Sequence, residues 1–387
     1  MIITSFNHTG TNVPDDQVAH HYNNNNNFAL DQISAFLGGG IGEHTGGFVQ
    51  FTYSNIPNAS ALDNTDLRPY TTTFDVFGGK ELRIGTTINN NPTVQDPYNS
   101  SFAWGYPFVS SGLAPTPSAS PILASGFNNN SIGYTVYAWY DRHLYLEAGA
   151  YSTLSTWSLA RIGNDFGVGS SQGAMPYLRA AYEWDWNQQA FHIGTIYMQS
   201  NVNPVSGVFQ TDGSLGRDHF TDYVIDGGYQ WLGDGNHIVS ILATFTHEDQ
   251  NLEGTTAGYN AANGTTFGPK SNFNQFQVNA SYWYQNTYGL TLAWQNTWGP
   301  ANPQLYTTGS EVTNSANGKP NSNAFIIEAD WVPFGKADSW LHPWANLKLG
   351  IQYTLYTQFN GGTKNYDGFG RNAGDNNTLF LFAWMAF

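Results

Sequence analysis

Residues 274–298 read NQFQVNASYWYQNTYGLTLAWQNTW, two runs of extended character joined by the short turn NTY at 286–288. In the first run Phe276, Val278, Ala280, Tyr282 and Tyr284 fall on one side, and Gln275, Gln277, Asn279 and Ser281 on the other. A period of two sends successive side chains to opposite faces of a β-strand. The same rhythm appears in HIVSILATFTH (237–247), where Val239, Ile241, Ala243 and Phe245 oppose Ser240, Leu242, Thr244 and Thr246. It returns in NLKLGIQYTLYTQF (346–359), with Leu347, Leu349, Ile351, Tyr353 and Leu355 against Lys348, Gly350, Gln352 and Thr354. These runs of about ten residues outlast the usual soluble strand of about 5–6. They have the length of a tilted strand that crosses a bilayer.

Alternation alone also fits a soluble sandwich, and the connections separate the two. Strands are predicted near 1–8, 27–37, 46–54, 62–76, 80–89, 131–140, 143–152, 175–186, 189–200, 217–231, 237–247, 273–285, 288–298, 322–333, 343–358 and 376–387. Short links such as FGGK, DRH, NQQ and LGDGN alternate with long ones at 90–130, 153–174, 201–216, 248–272, 299–321 and 359–375. Short turns on one rim and long loops on the other are the layout of an outer-membrane barrel. A Greek-key sandwich has no reason to keep that parity. The expectation is an all-β, transmembrane, antiparallel up-and-down barrel of about 16 strands. Residues 1–387 form one domain, with both ends on the periplasmic, short-turn side.

Composition agrees. Charged residues are 11% of the 387, against the roughly 25% of soluble domains, while aromatics reach 16% and glycines number 42. Mean hydropathy is −0.37, so aliphatics do not fill the gap. Such a mixture suits strands and turns better than helices. No run of 18 apolar residues occurs that would make a spanning helix, and no basic-then-apolar leader opens the chain. The expectation is therefore a mature or trimmed product, or a secretion signal that lies upstream. A formal charge of −15, with 13 basic residues scattered singly, leaves no footprint for nucleic acid. Absence of cysteine removes disulfides, thiolate metal sites, cysteine nucleophiles and haem attachment through Cys-x-x-Cys-His.

Aromatics gather near strand ends in YEWDW, YQWLG, YWYQNTYG and ADWVPF, where amphipathic rings meet the lipid–water boundary. The chain closes on TLFLFAWMAF, whose alternating set Leu379, Leu381, Ala383, Met385 and Phe387 would face lipid on the last strand. A terminal aromatic there resembles the signal that such barrels present to their assembly machinery, so Phe387 is the expected barrel-closure signal. The partners expected on this reading are outer-membrane lipid and that machinery. Trimers are common among barrels of this size, but the sequence shows no interface signature.

A barrel of about sixteen strands holds an aqueous lumen. Inward positions carry Gln, Asn, Ser and Thr with a few charges, among them Glu147, Arg179, Asp226 and Lys348, and the acidic excess favours cations. The segment 87–130 holds six of the 17 prolines and no strand rhythm. Tyr98, Phe102, Trp104, Tyr106 and Phe108 argue against disorder in it. It is expected to fold into the lumen over 90–130 and narrow it, with Asn90, Asn91, Pro92, Gln95, Asp96, Tyr98, Trp104 and Tyr106 lining the constriction.

NFALDQISAFLGGGIGEHTGGFVQFTY (27–53), ALDNTDLR (61–68) and above all NNNPTVQDPYNSSFAWGYPFVSSGLAPTPSASP (89–121) resemble the barrel part of bacterial outer-membrane cytochrome–porin fusions. In that family a short N-terminal domain with one c-type haem precedes a porin-like barrel that sheathes electron transfer across the outer membrane. The haem motif is missing here, so the resemblance implies a c-type haem from an upstream domain or from a periplasmic or extracellular cytochrome partner. The residues by themselves equally fit a passive diffusion porin for small hydrophilic solutes or cations. Ten histidines are mostly single. A haem in the lumen could draw an axial ligand from His8, His192 or His219, and no spacing proposes a metal site. No nucleophile elbow, Walker loop or HExxH occurs, and no enzymatic activity is expected.

Overall fold

The computed structural model describes residues 1–19, 21–100, 109–164, 169–204 and 214–387. Trp104 and Tyr106 lie outside them. The first half of the wall is β1 (Ile2–Thr9), β2 (Asn27–Gly40), β3 (Gly46–Ser54), β4 (Ala59–Val76), β5 (Lys80–Asn89), β6 (Ser131–Tyr140) and β7 (Leu144–Thr153). After a three-residue strand, β8 (Gly169–Ser171), it continues with β9 (Met175–Trp186), β10 (Gln189–Pro204), β11 (Asp218–Trp231), β12 (His237–Leu252) and β13 (Lys270–Tyr284). It finishes with β14 (Tyr288–Trp298), β15 (Ser322–Trp331), β16 (Asn346–Gln358) and β17 (Thr378–Ala386). Each wall strand pairs antiparallel with a neighbour on both sides, and β1 joins β2 to β17. Leaving out β8, which pads the loop end of β10, sixteen strands close a barrel among the described residues.

Closure satisfies the backbone without water, which is what lets a sheet stand in hydrocarbon. Side chains then sort by parity. On β11 Tyr223 and Ile225 are exposed, while Asp222, Val224 and Asp226 are buried inside. On β17 Leu381 is exposed between the inward rings of Phe380 and Phe382.

Several strands run past their expected ends toward the long loops, β12 to Leu252 and β10 to Pro204. The outward face explains why. On the β12–β13 pair the apolar set ends at Phe245 opposite Phe276; pairing continues through His247 with Asn274, Asp249 with Asn272 and Asn251 with Lys270. Hydrophobic rhythm stops at the lipid boundary while the ladder goes on into the loops. From Tyr284 to Phe276 the apolar stretch is roughly 27 Å along the strand. Tilt reduces this to about 20 Å of height, close to the ≈ 25 Å lipid band of such barrels. Exposed Trp184, Trp186, Trp231, Tyr284, Tyr288 and Trp331 ring the turn-side boundary.

Tight hairpins make the turn rim. Asp141–Arg142 and Gln285–Asn286 each have two consecutive positive φ angles, 51° and 60°, then 53° and 52°. Two adjacent left-handed residues give the I′ geometry whose twist matches antiparallel strands. Two connections break the rim rule. Four residues, 55–58, join β3 to β4 on the long-loop rim, and 332–345 join β15 to β16 on the turn rim. Three of the other loop-rim links carry short α-helices, α1 (Thr156–Ile162), α2 (Glu253–Asn263) and α3 (Pro303–Tyr306). No helix among the described residues is long and apolar enough to cross a membrane.

The seam runs from Thr9 opposite Thr378 to Ile2 opposite Met385. Phe387 follows β17 at the rim, 80% exposed and beyond the last paired residue. At the other end of the seam Arg371 donates to the carbonyls of Thr11 (3.1 Å), Asn12 (2.8 Å) and Asp375 (3.3 Å), tying the last loop to the first.

Candidate functional site: a segment across the lumen

The chain between β5 and β6 begins by knitting itself to β4. Asn90 accepts from Thr65 N (2.7 Å) and donates to the Asp63 carbonyl (2.6 Å), and Asn91 donates to Asn64 Oδ1 (2.8 Å). Pro92 is buried, and the backbone turns twice, through Val94 N to Asn91 O and Asp96 N to Thr93 O. Asp96 then caps the next turn, its carboxylate accepting from Tyr98 N (3.2 Å) and Ser100 N (2.9 Å), the use of Asp that turns favour. Arg68 Nη2 donates to the Gln95 carbonyl (3.0 Å), and the Gln95 side chain is 1% exposed.

Here the segment meets an ion cluster on the wall. Arg179 of β9 donates from Nη1 to Asp226 Oδ1 of β11, from Nη2 to Asp226 Oδ2 (3.0 Å) and to Ser100 Oγ (3.0 Å), and from Nε to Asp96 Oδ1 (3.4 Å). Ser100 Oγ donates to Asp226 Oδ2 (2.8 Å), and its carbonyl accepts from Thr244 Oγ1 of β12 (2.6 Å). The side chains of Arg179, Asp96 and Asp226 are fully buried. One guanidinium between two carboxylates, one of them gripped bidentately, is a strong and directional joint. His192 Nε2 lies 3.3 Å from Asp226, and its ring stacks on Tyr98 at 4.2 Å between centroids.

Glycines make the space. A methyl group on Gly194 would lie 2.2 Å from Arg179 Nη1, and one on Gly228 would lie 2.3 Å from His192 Cε1. Both contacts are closer than side chains tolerate, so the bare backbone there is what admits the guanidinium and the imidazole.

The second limb reaches the opposite wall. Gln352 of β16 donates to the Val109 carbonyl (2.9 Å), Tyr356 to that of Pro115 (3.5 Å), and Asn360 Oδ1 accepts from Ser118 N (3.0 Å). The chain then returns to β12, where Ile122 N donates to Glu248 Oε2 (2.6 Å), and Asn129 N closes on the Asn90 carbonyl (3.0 Å). Ile122, Leu123 and Phe127 bury themselves against Tyr177, Ile196, Met198 and Val224 of the wall. At about 1.5–3 kcal/mol per buried side chain, these three alone contribute roughly 5–9 kcal/mol. The described parts of 90–130 thus touch β4, β9, β11 and β12 on one side and β16 on the other.

Further charges face inward. Asp222 and Glu248 sit directly opposite each other on β11 and β12, both buried. Lys348 of β16 lies 2.9 Å from Glu328 and 3.1 Å from Asp330. Glu147 accepts from Tyr145 (3.0 Å) and from Thr135. Arg179, Asp226, Glu147 and Lys348 were readable as inward charges from alternation. Asp222, Glu248 and Glu328 have the same parity and could have been found by extending it. What no periodicity signals is the meeting of Asp96 and Ser100 with Arg179. Of the histidines, His8 bonds Asn26 (2.8 Å) and His219 bonds Asn201 (2.6 Å), both on the outward parity of their strands; His192 points inward. Among the described residues no three His, Cys, Asp or Glu side chains converge as a metal site would need.

No protein-family model matches the chain, and no curated protein matches it. Among solved structures it is similar to OmpF of Salmonella typhi in complex with daunomycin, with TM-score 0.52 and 13% identity over 100% of this chain and 97% of that one. It is similar to the outer-membrane channel DcaP of Acinetobacter baumannii, with TM-score 0.50 and 11% identity over 100% and 95%. It is similar also to OprB of Pseudomonas putida, with TM-score 0.50 and 11% identity over 99% and 92%. The fold is that of the outer-membrane porin barrels, and with its apolar belt it places the protein in the bacterial outer membrane.

Proposed function

We propose that the protein is a constricted diffusion channel for small hydrophilic solutes. One observation carries this reading: the described parts of the 90–130 segment are hydrogen-bonded to opposite walls of a barrel wide enough to hold water, so that any passage must go around them. The polar inward face and the excess of inward carboxylates over Arg68, Arg179 and Lys348 support a hydrated path. Single-channel recording in planar bilayers tests it. Small, stable conductance steps are expected, with larger ones when residues 109–121 are replaced by a short Gly–Ser linker. No conductance from either protein would refute a channel.

A second reading follows from the resemblance of 27–53, 61–68 and 89–121 to cytochrome–porin fusions. In it the barrel sheathes electron transfer, and a c-type haem reaches the lumen from an upstream domain or a partner cytochrome. Of His8, His192 and His219 only His192 lies on the inward parity, and its ring is packed against Tyr98 and Asp226. A Soret band that co-purifies with this chain from its native membrane is the expected sign. Haem-free material with full conductance would leave the channel alone standing.

A further inference from the structure

At the turn rim β4 outruns β3. Their ladder starts at Gly46 opposite Arg68, yet β4 continues to Val76 with β5 as its partner on one side only. The turn between β2 and β3 covers the first part of this overhang. Thr71 N donates to the His44 carbonyl (2.7 Å), and Thr45 Oγ1 donates to that of Pro69 (3.1 Å). Beyond Thr71 no strand among the described residues pairs with the β3 side of β4. Residues 72–76 therefore leave about 17 Å of open edge.

Those two contacts also fix where the backbone points. Alternate residues of a strand turn their N–H and C=O groups the same way. Pro69 and Thr71 turn theirs toward β3, so Thr73 and Asp75 present two donors and two acceptors to the open side. The far side of the hairpin is braced: Leu82 pairs with Tyr140, Asp141 N donates to the Glu81 carbonyl (2.6 Å), and Lys80 pairs with Asp141. The edge is thus held in strand conformation before anything joins it.

Its residues favour an addition. TTTFDV (71–76) is β-branched and aromatic apart from Asp75, and Phe74 stands half-exposed beside the edge. Of the devices that blunt an edge, residues 72–76 have no proline, no lysine and no bulge, and carry Asp75 alone. Asp75 and Glu43 of the neighbouring turn are exposed, and neither forms an ion pair among the described residues. Backbone donors and acceptors in a row are matched by another extended backbone, with side chains adding selectivity. The turn rim of such barrels faces the periplasm. The geometry points to residues 72–76 as a docking edge for an extended segment of a periplasmic polypeptide. The segment adds to β4 as a short antiparallel strand, end to end with β3, and sets a Lys or Arg against Asp75. A second copy of the chain suits the edge less well. Rotated about the membrane normal, it could approach only in parallel and would bring Asp75 against Asp75.

The test uses the full-length barrel in nanodiscs. The probe is a fluorescein-labelled peptide, Gly-Ser-Lys-Val-Thr-Val-Arg-Gly-Ser, and its control has Glu in place of Lys and Arg. Fluorescence anisotropy reads binding, and hydrogen exchange reads protection of the Thr73 and Asp75 amides. Saturable binding of the basic peptide is expected, at least tenfold tighter than that of the acidic one, with slowed exchange at both amides. Thr73→Pro deletes one open-side amide and leaves the bonds to β5 in place, so it should weaken binding at least tenfold. Asp75→Lys should reverse the preference between the peptides. Heat-modifiable gel migration checks that each variant is folded. No saturable binding, equal binding to a folded Thr73→Pro barrel, or slow exchange at both amides before peptide is added would overturn the docking edge. So would a fall in oligomer mass on Thr73→Pro without peptide, which would assign the edge to a second copy.

Discussion

Replacing Arg179 by Met keeps most of the length of the side chain and removes its charge from a fully buried joint. Asp226 would lose a bidentate partner, Asp96 and Ser100 would lose theirs, and two fully buried carboxylates would face each other unneutralised. Breaking a buried pair by removing one member costs about 3–5 kcal/mol. The first limb is one of several places where the described parts of 90–130 are anchored, and much of this cost falls on the anchored state. At about 1.4 kcal/mol per tenfold change, the balance between seated and displaced limb shifts by between a hundredfold and a few thousandfold. Single-channel traces should then show larger or flickering steps, where the unaltered protein is quiet. Adding Asp226→Asn should recover part of the seating, because the stranded charge is gone, and a double-mutant cycle would return the coupling. A folded Arg179→Met barrel with conductance and noise like those of the parent would refute the idea that this cluster holds the segment.

Four further expectations are open to direct measurement. Gly194→Val, which changes no charge but intrudes on the guanidinium, should reproduce the Arg179→Met conductance. Ile225→Arg, on the exposed outward face of β11, should lower stability in lipid by about 2–4 kcal/mol in urea titrations, the penalty for a cation near the bilayer midplane. A soluble two-sheet protein would tolerate it or aggregate. Arg371→Ala strips the seam of two carbonyl contacts, to Thr11 and Asn12, and should cost about 1.5–3 kcal/mol, read as a lower heat-modification temperature on gels. Deleting Phe387 should reduce the amount of assembled barrel in the outer membrane without altering the stability of the fraction that does assemble, since the residue lies outside the ladder.

The wall was legible in the sequence because its determinants are local. Alternation in 237–247 and 274–284 assigns each residue to a face, and tight turns such as Gln285–Asn286 hold neighbouring strands in register, while Asp222 opposite Glu248 emerges only when the β12 alternation is carried past 247. Strand ends were read short where outward residues turn polar, as at His247 and Asp249, because the signal reports lipid and not hydrogen bonding. The luminal segment is a different matter. Its anchors join residues 126, 144 and 243 positions apart, Ser100 to Asp226, Ser100 to Thr244 and Val109 to Gln352. No period encodes contacts of that range. Proline and aromatic content marked the segment as unusual and could not give its route.

That route also constrains how the molecule is made. Residues 109–127 hold on to β12 and β16, strands synthesised long after them, and the seam that seals the cylinder needs the last strand of all. A cylinder shut beforehand would offer them only its mouth to enter by. Seating the segment therefore couples parts of the cylinder made early to parts made late, and a cylinder sealed with the segment unseated would keep an empty bore.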